Sequence, residues 1–345
     1  MALSATYSFS VSRDDVIREA MMNIGAIGEA EVPTAQEVND CARKLNMMVK
    51  QWMGKQDFAP GLKMWTRQRA DLFLSSTVHK YYLGPNSTYP NASNWAGGVS
   101  SSTTGANYAQ SSLIATTSSG SAVLSVGVGN TAVFTANDYV VVQLSSGDIF
   151  SSTVLSINAG AGTVTMNAVL PTSVTASGYV WNYTTKGERP LEIATCILRD
   201  INANDTPIDS MILQEYEQLP AKVQPGNVAD PTKIYYESHF QSGTNPYGPG
   251  WLYIDCYGAQ DVTKHLHMVY LRPVMDFVNP GDNPEYPQQW FRALCWGLSR
   301  DIAGMFDADW SADMQANYVD ALAMAQEPDS ETSVMFFNVR DDVGA

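Results

Sequence analysis

His265 and His267 alternate along one predicted strand, so both rings share a face at a spacing able to chelate a metal ion. Two ligands leave a site incomplete, and the pair reads instead as surface or interface histidines, as do His79 and His239. Carboxylate pairs at Asp14/Asp15, Asp276/Asp282 and Asp341/Asp342 have the composition of an acid and a base. Such pairs are frequent on any acidic surface, and solvated charge is the simpler reading. The run Gly127-Val128-Gly129-Asn130-Thr131-Ala132 fits the dinucleotide pattern GxGxxA, which has force only between a strand and a helix. A β-rich stretch follows it here, so a turn is expected. No Walker A, HExxH or GxSxG sequence occurs. A Ser/His/Asp triad assembles in space rather than in sequence order, and no residue is singled out for one. Trp95, Tyr108, Tyr179, Trp181 and Tyr183 could stack on sugars, but packing in a core or turn is favoured for them. No catalytic, cofactor-binding or metal-binding residue is therefore assigned.

Composition narrows the partners. The net charge of −15 disfavours tightly held nucleic acid, which needs clustered Lys and Arg. An acidic wall can still surround DNA in transit, because repulsion keeps a polyanion from sticking. Hydrophobic residues at 45% against 16% charged exclude a disordered chain. The four cysteines, Cys41, Cys196, Cys256 and Cys295, show no CxxC spacing and read as buried free thiols. No apolar run is long enough to span a membrane, and residues 1–12 lack the pattern of a secretory signal, so a soluble chain made in the cytoplasm is expected.

The elements that must position these residues are legible from local signals. Ser12 and Asp15 form a capping box ahead of an apolar stripe through Val16, Ile17, Ala20, Met21 and Ile24, ending at Gly25 and Gly28. Thr34 and Glu37 open a second helix through Val38, Cys41, Leu45, Met48, Val49 and Trp52. Two strands follow between Trp65 and Leu83. Between Asn91 and Thr185 there is no Lys or Arg, a break that marks an insertion at 86–185. Its first part, 91–121, reads as a long surface excursion; the rest alternates like β-structure in a small barrel or sandwich, at 122–126, 139–144, 149–157, 162–166 and 179–183. Strands are expected at 191–199, 232–237, 251–257 and 265–271, with a short helix near 210–219. Pro287 opens a helix through Trp290, Leu294, Leu298 and Ile302, and another carries Met314, Tyr318, Ala321, Leu322 and Ala325.

The expected architecture is α+β. A helical hairpin over 1–60 packs with C-terminal helices over 286–327, a mixed β region covers 61–85 and 186–284, and an extended tail covers 328–345. The tail holds Met335, Phe336, Phe337 and Arg340. An exposed Met-Phe-Phe cluster is an association hazard, so it is expected to dock on a sister subunit or partner, with the phenylalanines as anchors and Arg340 at the rim. Folding back on its own bundle is the alternative.

The helical framework resembles the head-to-tail adaptor family of short-tailed bacteriophages, also called tail accessory, tail tubular or packaged-DNA-stabilisation proteins. The stretches that carry the resemblance are Asp14-Asp15-Val16-Ile17-Arg18-Glu19-Ala20 through Gly28, Pro33-Thr34-Ala35-Gln36-Glu37, Leu45-Asn46-Met47-Met48-Val49-Lys50-Gln51-Trp52, Arg272-Pro273-Val274-Met275-Asp276-Phe277 and Asn283-Pro284-Glu285-Tyr286-Pro287-Gln288-Gln289-Trp290. The resemblance implies a homo-oligomeric ring of twelve subunits docked beneath a portal protein, offering its far side to a tail tube or nozzle. DNA would pass through its lumen without sequence-specific binding, and the chain would reside in the virion neck after assembly in the host cytoplasm. Two rival readings are a carbohydrate-binding tail module, motivated by the aromatics of the insertion, and a cell-wall hydrolase.

Overall fold

A computed structural model describes residues 9–54, 66–84, 95–97, 108–238 and 250–327. The chain is α+β and divides into two compact units, Met1–Thr66 with Val274–Ala345, and Arg67–Pro273. The α-helices are α1 (Arg13–Asn23), α2 (Ala35–Gly54), α3 (Leu213–Gln218), α4 (Phe291–Ile302) and α5 (Ala312–Gln326). Among the described residues no helix is long and apolar enough to cross a membrane.

The first unit packs α1, α2, α4 and α5. Local capping starts the first two helices: Ser12 and Asp15 exchange bonds of 2.9 and 3.2 Å, and Thr34 and Glu37 exchange bonds of 2.7 and 3.3 Å. Gly25, at φ +71°, takes the left-handed position that ends α1. Ile17, Met21, Leu45, Trp290, Leu294, Leu298 and Ile302 form the centre of the core. Gly297 lets α2 and α4 approach, since a Cβ there would lie 2.7 Å from the Trp52 ring and 2.8 Å from Met48 Sδ. Ser299 Oγ, fully buried on α4, donates to the Ala20 carbonyl of α1 at 3.0 Å. Val274, Phe277 and Tyr286 belong to this core, so 274–284 departs from the expected β region and joins the helices. The Asn46 side-chain amide holds that segment by bonding both backbone groups of Phe277, at 3.0 and 2.9 Å.

The second unit begins with β1 (Arg67–Phe73), β2 (Lys80–Leu83) and β3 (Trp95–Gly97). Six strands follow: β4 (Ala109–Ser112), β5 (Val123–Ser125), β6 (Tyr139–Gln143), β7 (Ile149–Asn158), β8 (Thr163–Met166) and β9 (Tyr179–Tyr183). The chain then returns through β10 (Glu192–Arg199), β11 (Asp205–Ser210), β12 (Val228–Ala229), β13 (Lys233–Glu237), β14 (Gly250–Ile254), β15 (Gly258–Ala259) and β16 (His265–Leu271). An eight-stranded sheet runs β2-β14-β13-β11-β10-β16-β1-β3. β1 and β2 are consecutive in the chain but six steps apart in the sheet. A flat sheet would separate them by roughly 29 Å, beyond the roughly 24 Å that the connection spans when fully extended. The sheet therefore curls.

The strands of the insertion form their own antiparallel sheet, β4-β9-β6-β7-β8-β5. Its edges meet where the Ile114 amide donates to the Ser125 carbonyl at 2.9 Å, leaving it nearly closed around Leu124, Val140, Val142, Val154, Val164 and Val180. Two expectations are corrected here. Residues 91–121 are not wholly a surface excursion: Trp95 and Ala96 are fully buried, Leu113 is buried, and Thr117 pairs with Val174. β3 also pairs with β1, which places Trp95 in the eight-stranded sheet rather than the insertion. Small polar residues disguised these segments, because the apolar surface that buries them is supplied by distant partners. Trp95 lies against Tyr270, with ring centres 5.4 Å apart, and against Gly187, where any Cβ would fall 2.1 Å from the indole nitrogen.

Candidate functional site

The eight-stranded sheet sets Asp71 of β1 opposite His267 of β16, and Phe73 opposite His265. Asp71 is 0% exposed, His265 1% and His267 8%. This overturns the expectation of surface histidines. His267 Nδ1 donates to Asp71 Oδ1 at 2.7 Å, and His265 Nε2 stands 3.4 Å from the same oxygen and 3.2 Å from the Tyr108 hydroxyl. Burial alone would raise the Asp71 carboxyl, but hydrogen bonds and charge from both histidines outweigh it and hold the carboxyl well below its ordinary value. Arg199, opposite His265 on β10, is clamped by Asp205 of β11 through bonds of 2.7 and 2.9 Å. Ionisable side chains thus stand on four neighbouring strands, β1, β16, β10 and β11. Asp71, His265 and His267 are buried, and the contacts between them tie β1 to β16 as a clamp between strands. His265 Nδ1 has no hydrogen-bond partner among the described residues.

The clamp borders a joint between the two sheets. Phe73 packs against Trp181 and Tyr183 of β9, with ring centres 5.0 and 6.3 Å away, and Tyr108 meets both Phe73 and His265 edge-on. Trp181 and Tyr183 are buried, which removes them from any sugar-stacking platform. Beside this cluster, Asp148 at the β6–β7 turn accepts the hydroxyls of Ser75, Ser76 and Thr77 at 2.6, 3.0 and 2.9 Å. Burial opposes ionisation of Asp148, but those bonds prevail and lower its pKa.

Among the described residues, partly exposed aromatic or apolar side chains gather on one face of each unit. On the second unit, β2, β13 and β14 present alternate residues outward: Tyr82 opposes Trp251, and Tyr235 opposes Tyr253. Tyr216 of α3 joins the two tyrosines at 5.7 and 5.0 Å, and Lys80 Nζ lies 3.4 Å from the Trp251 ring centre. This ladder was missed in the sequence, although the alternation of Trp251 and Tyr253, with Tyr235 opposite, carried its signal. On the first unit, α5 buries Tyr318, Ala321, Leu322 and Ala325 yet exposes Ala312, Ala316, Val319, Ala323 and Met324. Val319 is 50% exposed and Met324 65%, so the helix is apolar on two sides.

The remaining candidates resolve individually. Gly127 to Ala132 forms the start of a 3-10 helix, Val128–Val133, followed by extended Phe134 instead of the α-helix that a dinucleotide site requires. Asp14 pairs with Arg13, Asp276 with Lys50, and Asp282 caps the turn at Val278 and Asn279. Cys41, Cys196 and Cys256 are buried free thiols and Cys295 is half-buried. Among the described residues no group of three His, Cys, Asp or Glu is placed to hold a metal ion. Met335, Phe336, Phe337, Arg340, Asp341, Asp342 and His239 lie outside the described residues. The chain matches no protein-family model and no curated protein.

Proposed function

We propose that the chain is a virion structural subunit, a head-to-tail connector that forms a ring between the portal and the tail of a short-tailed bacteriophage. The ring prolongs the DNA channel, retains the genome and passes it at ejection. Its role is mechanical rather than catalytic. The observation that carries this reading is α5, a helix apolar on the face it buries and again on the face it exposes. A monomer gains nothing from the second face, whereas a ring of identical subunits covers it through head-to-tail contacts. The resemblance of the helical framework supplies the partners, and the net charge of −15 suits a channel wall that DNA must not adhere to. We read the insertion as a small barrel carried by each subunit of that ring.

The test is to mix the purified chain with the portal encoded in the same genome and weigh the products by native mass spectrometry. The expected result is a monomer alone and a closed ring, twelve chains by family resemblance, once the portal is present. A stable dimer indifferent to the portal would remove the connector reading. The carbohydrate-binding reading keeps only Tyr108 and Tyr179, which are partly exposed, because Trp95, Trp181 and Tyr183 are core residues.

A further inference from the structure

Along the first unit α1 and α4 leave a groove of about 530 Å³ between them. Its floor is apolar, built from Val11, Val16, Phe291 and Trp296, with Phe9 standing 6.0 Å from Phe291 at one side. The two rims differ in charge. Asp15 and Glu19 line the α1 side and Arg292 the α4 side. Glu19 and Arg292 are exposed and make no ion pair among the described residues.

The chain beyond α5 carries a matching sequence, Val334-Met335-Phe336-Phe337-Asn338-Val339-Arg340-Asp341. In an extended segment neighbouring side chains point to opposite sides. Phe336 and Arg340 can then face the α1 wall with its carboxylates, while Phe337 and Asp341 face the α4 wall with Phe291 and Arg292. The starting point also suits. Trp296 against Trp310 and Arg300 over Tyr318 tie the start of α5 to the later part of α4, so α5 runs back and its end meets Gln288–Trp290, immediately before Phe291. From Glu327 to Phe336 an extended chain covers roughly 30 Å, whereas Phe291 to Trp296 rises only about 8 Å along α4.

We infer that the C-terminal segment around residues 334–341 docks in the α1–α4 groove of its own chain. Of the two destinations open to the tail, this one needs no partner, and it does not rest on the connector reading. Cys295 lines the groove and supplies a native reporter, because the other three cysteines are buried. Burial, reinforced by Glu19, pushes its thiol up to about 12, so alkylation should be run at mildly alkaline pH over hours. Truncation after Glu327, or the full-length Phe336→Ala/Phe337→Ala variant, should speed Cys295 alkylation roughly tenfold or more, since protection scales with the opening equilibrium. A synthetic peptide of residues 328–345 should restore the slow rate in the truncated chain. In a full-length Phe337→Cys variant, oxidation should join the new cysteine to Cys295 within one chain, and more readily than in the Phe336→Cys variant. Equal alkylation with and without the segment would overturn the inference, and so would cross-links that form only between chains.

Discussion

Replacing residues 98–184 with a four-residue Gly/Ser linker should leave a folded chain, whereas replacing 86–185 should damage the eight-stranded sheet. The ends of the narrower excision are already neighbours, because the Gly97 amide donates to the Thr185 carbonyl at 3.1 Å. A short linker therefore bridges them without moving either, and loop closure adds little cost. The narrower cut still uncovers Phe73, 1% exposed in the intact protein, at a cost of about 2–3 kcal/mol. The wider cut also removes Trp95, 0% exposed, and the pairing of β3 with β1. Losing a buried Trp side chain costs about 3–5 kcal/mol, and each kcal/mol moves the melting temperature of a unit this size by about 2–4 °C. The wider variant should accordingly melt about 10 °C or more below the narrower one, followed by circular dichroism in the β-sheet region. Equal melting temperatures would show that Trp95 does not hold the sheet. A narrow variant already unfolded at room temperature would show that the insertion is integral to it.

Three further changes probe other contacts. Asp71→Asn should cost about 1.5–3 kcal/mol near neutral pH by weakening the buried hydrogen bond between the carboxylate and His267. Because the folded carboxyl is depressed, its contribution is full above the ordinary carboxylate value near 4 and lost as pH falls through the depressed one, so urea titrations should show the gap to wild type narrowing in acid. Gly297→Val should destabilise the helical unit by about 2–3 kcal/mol through collision with Trp52 and Met48, read from the denaturation midpoint. Asp148→Ala should cost about 1–2 kcal/mol and speed amide exchange around Ser75 to Thr77, while the exchange of α1 stays unchanged.

The helices were legible because their signals are local. Ser12 with Asp15 and Thr34 with Glu37 sit three residues apart, and the apolar stripes repeat within a turn. Strands β5 to β9 were legible for the same reason, through alternation and Gly- or Asn-bearing turns. What escaped depended on distance. His267 gained its burial from Asp71, 196 positions away, and Trp95 gained its seat from Gly187 and Tyr270. β11 escaped because Asp205–Ser210 buries only Ile208 and contains Pro207, so neither alternation nor β-propensity marks it. It is held by Cys196 to Arg199 on one side and by a two-residue parallel contact with β13 on the other.

Surface that waits for a partner is harder still to read, because a covered and an uncovered apolar residue have the same sequence. In α5, Met314, Tyr318, Ala321, Leu322 and Ala325 stood out as a stripe; the structure buries the last four and leaves Met314 partly exposed. Ala312, Ala316, Val319 and Ala323 repeat at spacings of four, three and four, a helical period as regular as the first. Only the placement of α4 decides which of the two stripes is core. The exposed stripe is flanked by Asp313, Asp320 and Glu327, seven residues apart. A second α5 laid symmetrically against this face would set like charges opposite one another, and a contact with a different face of the neighbour would not. Under the proposed ring, in which α5 meets a second copy, the charge pattern argues for head-to-tail contact over a two-fold dimer, and head-to-tail contacts are those that can close into rings.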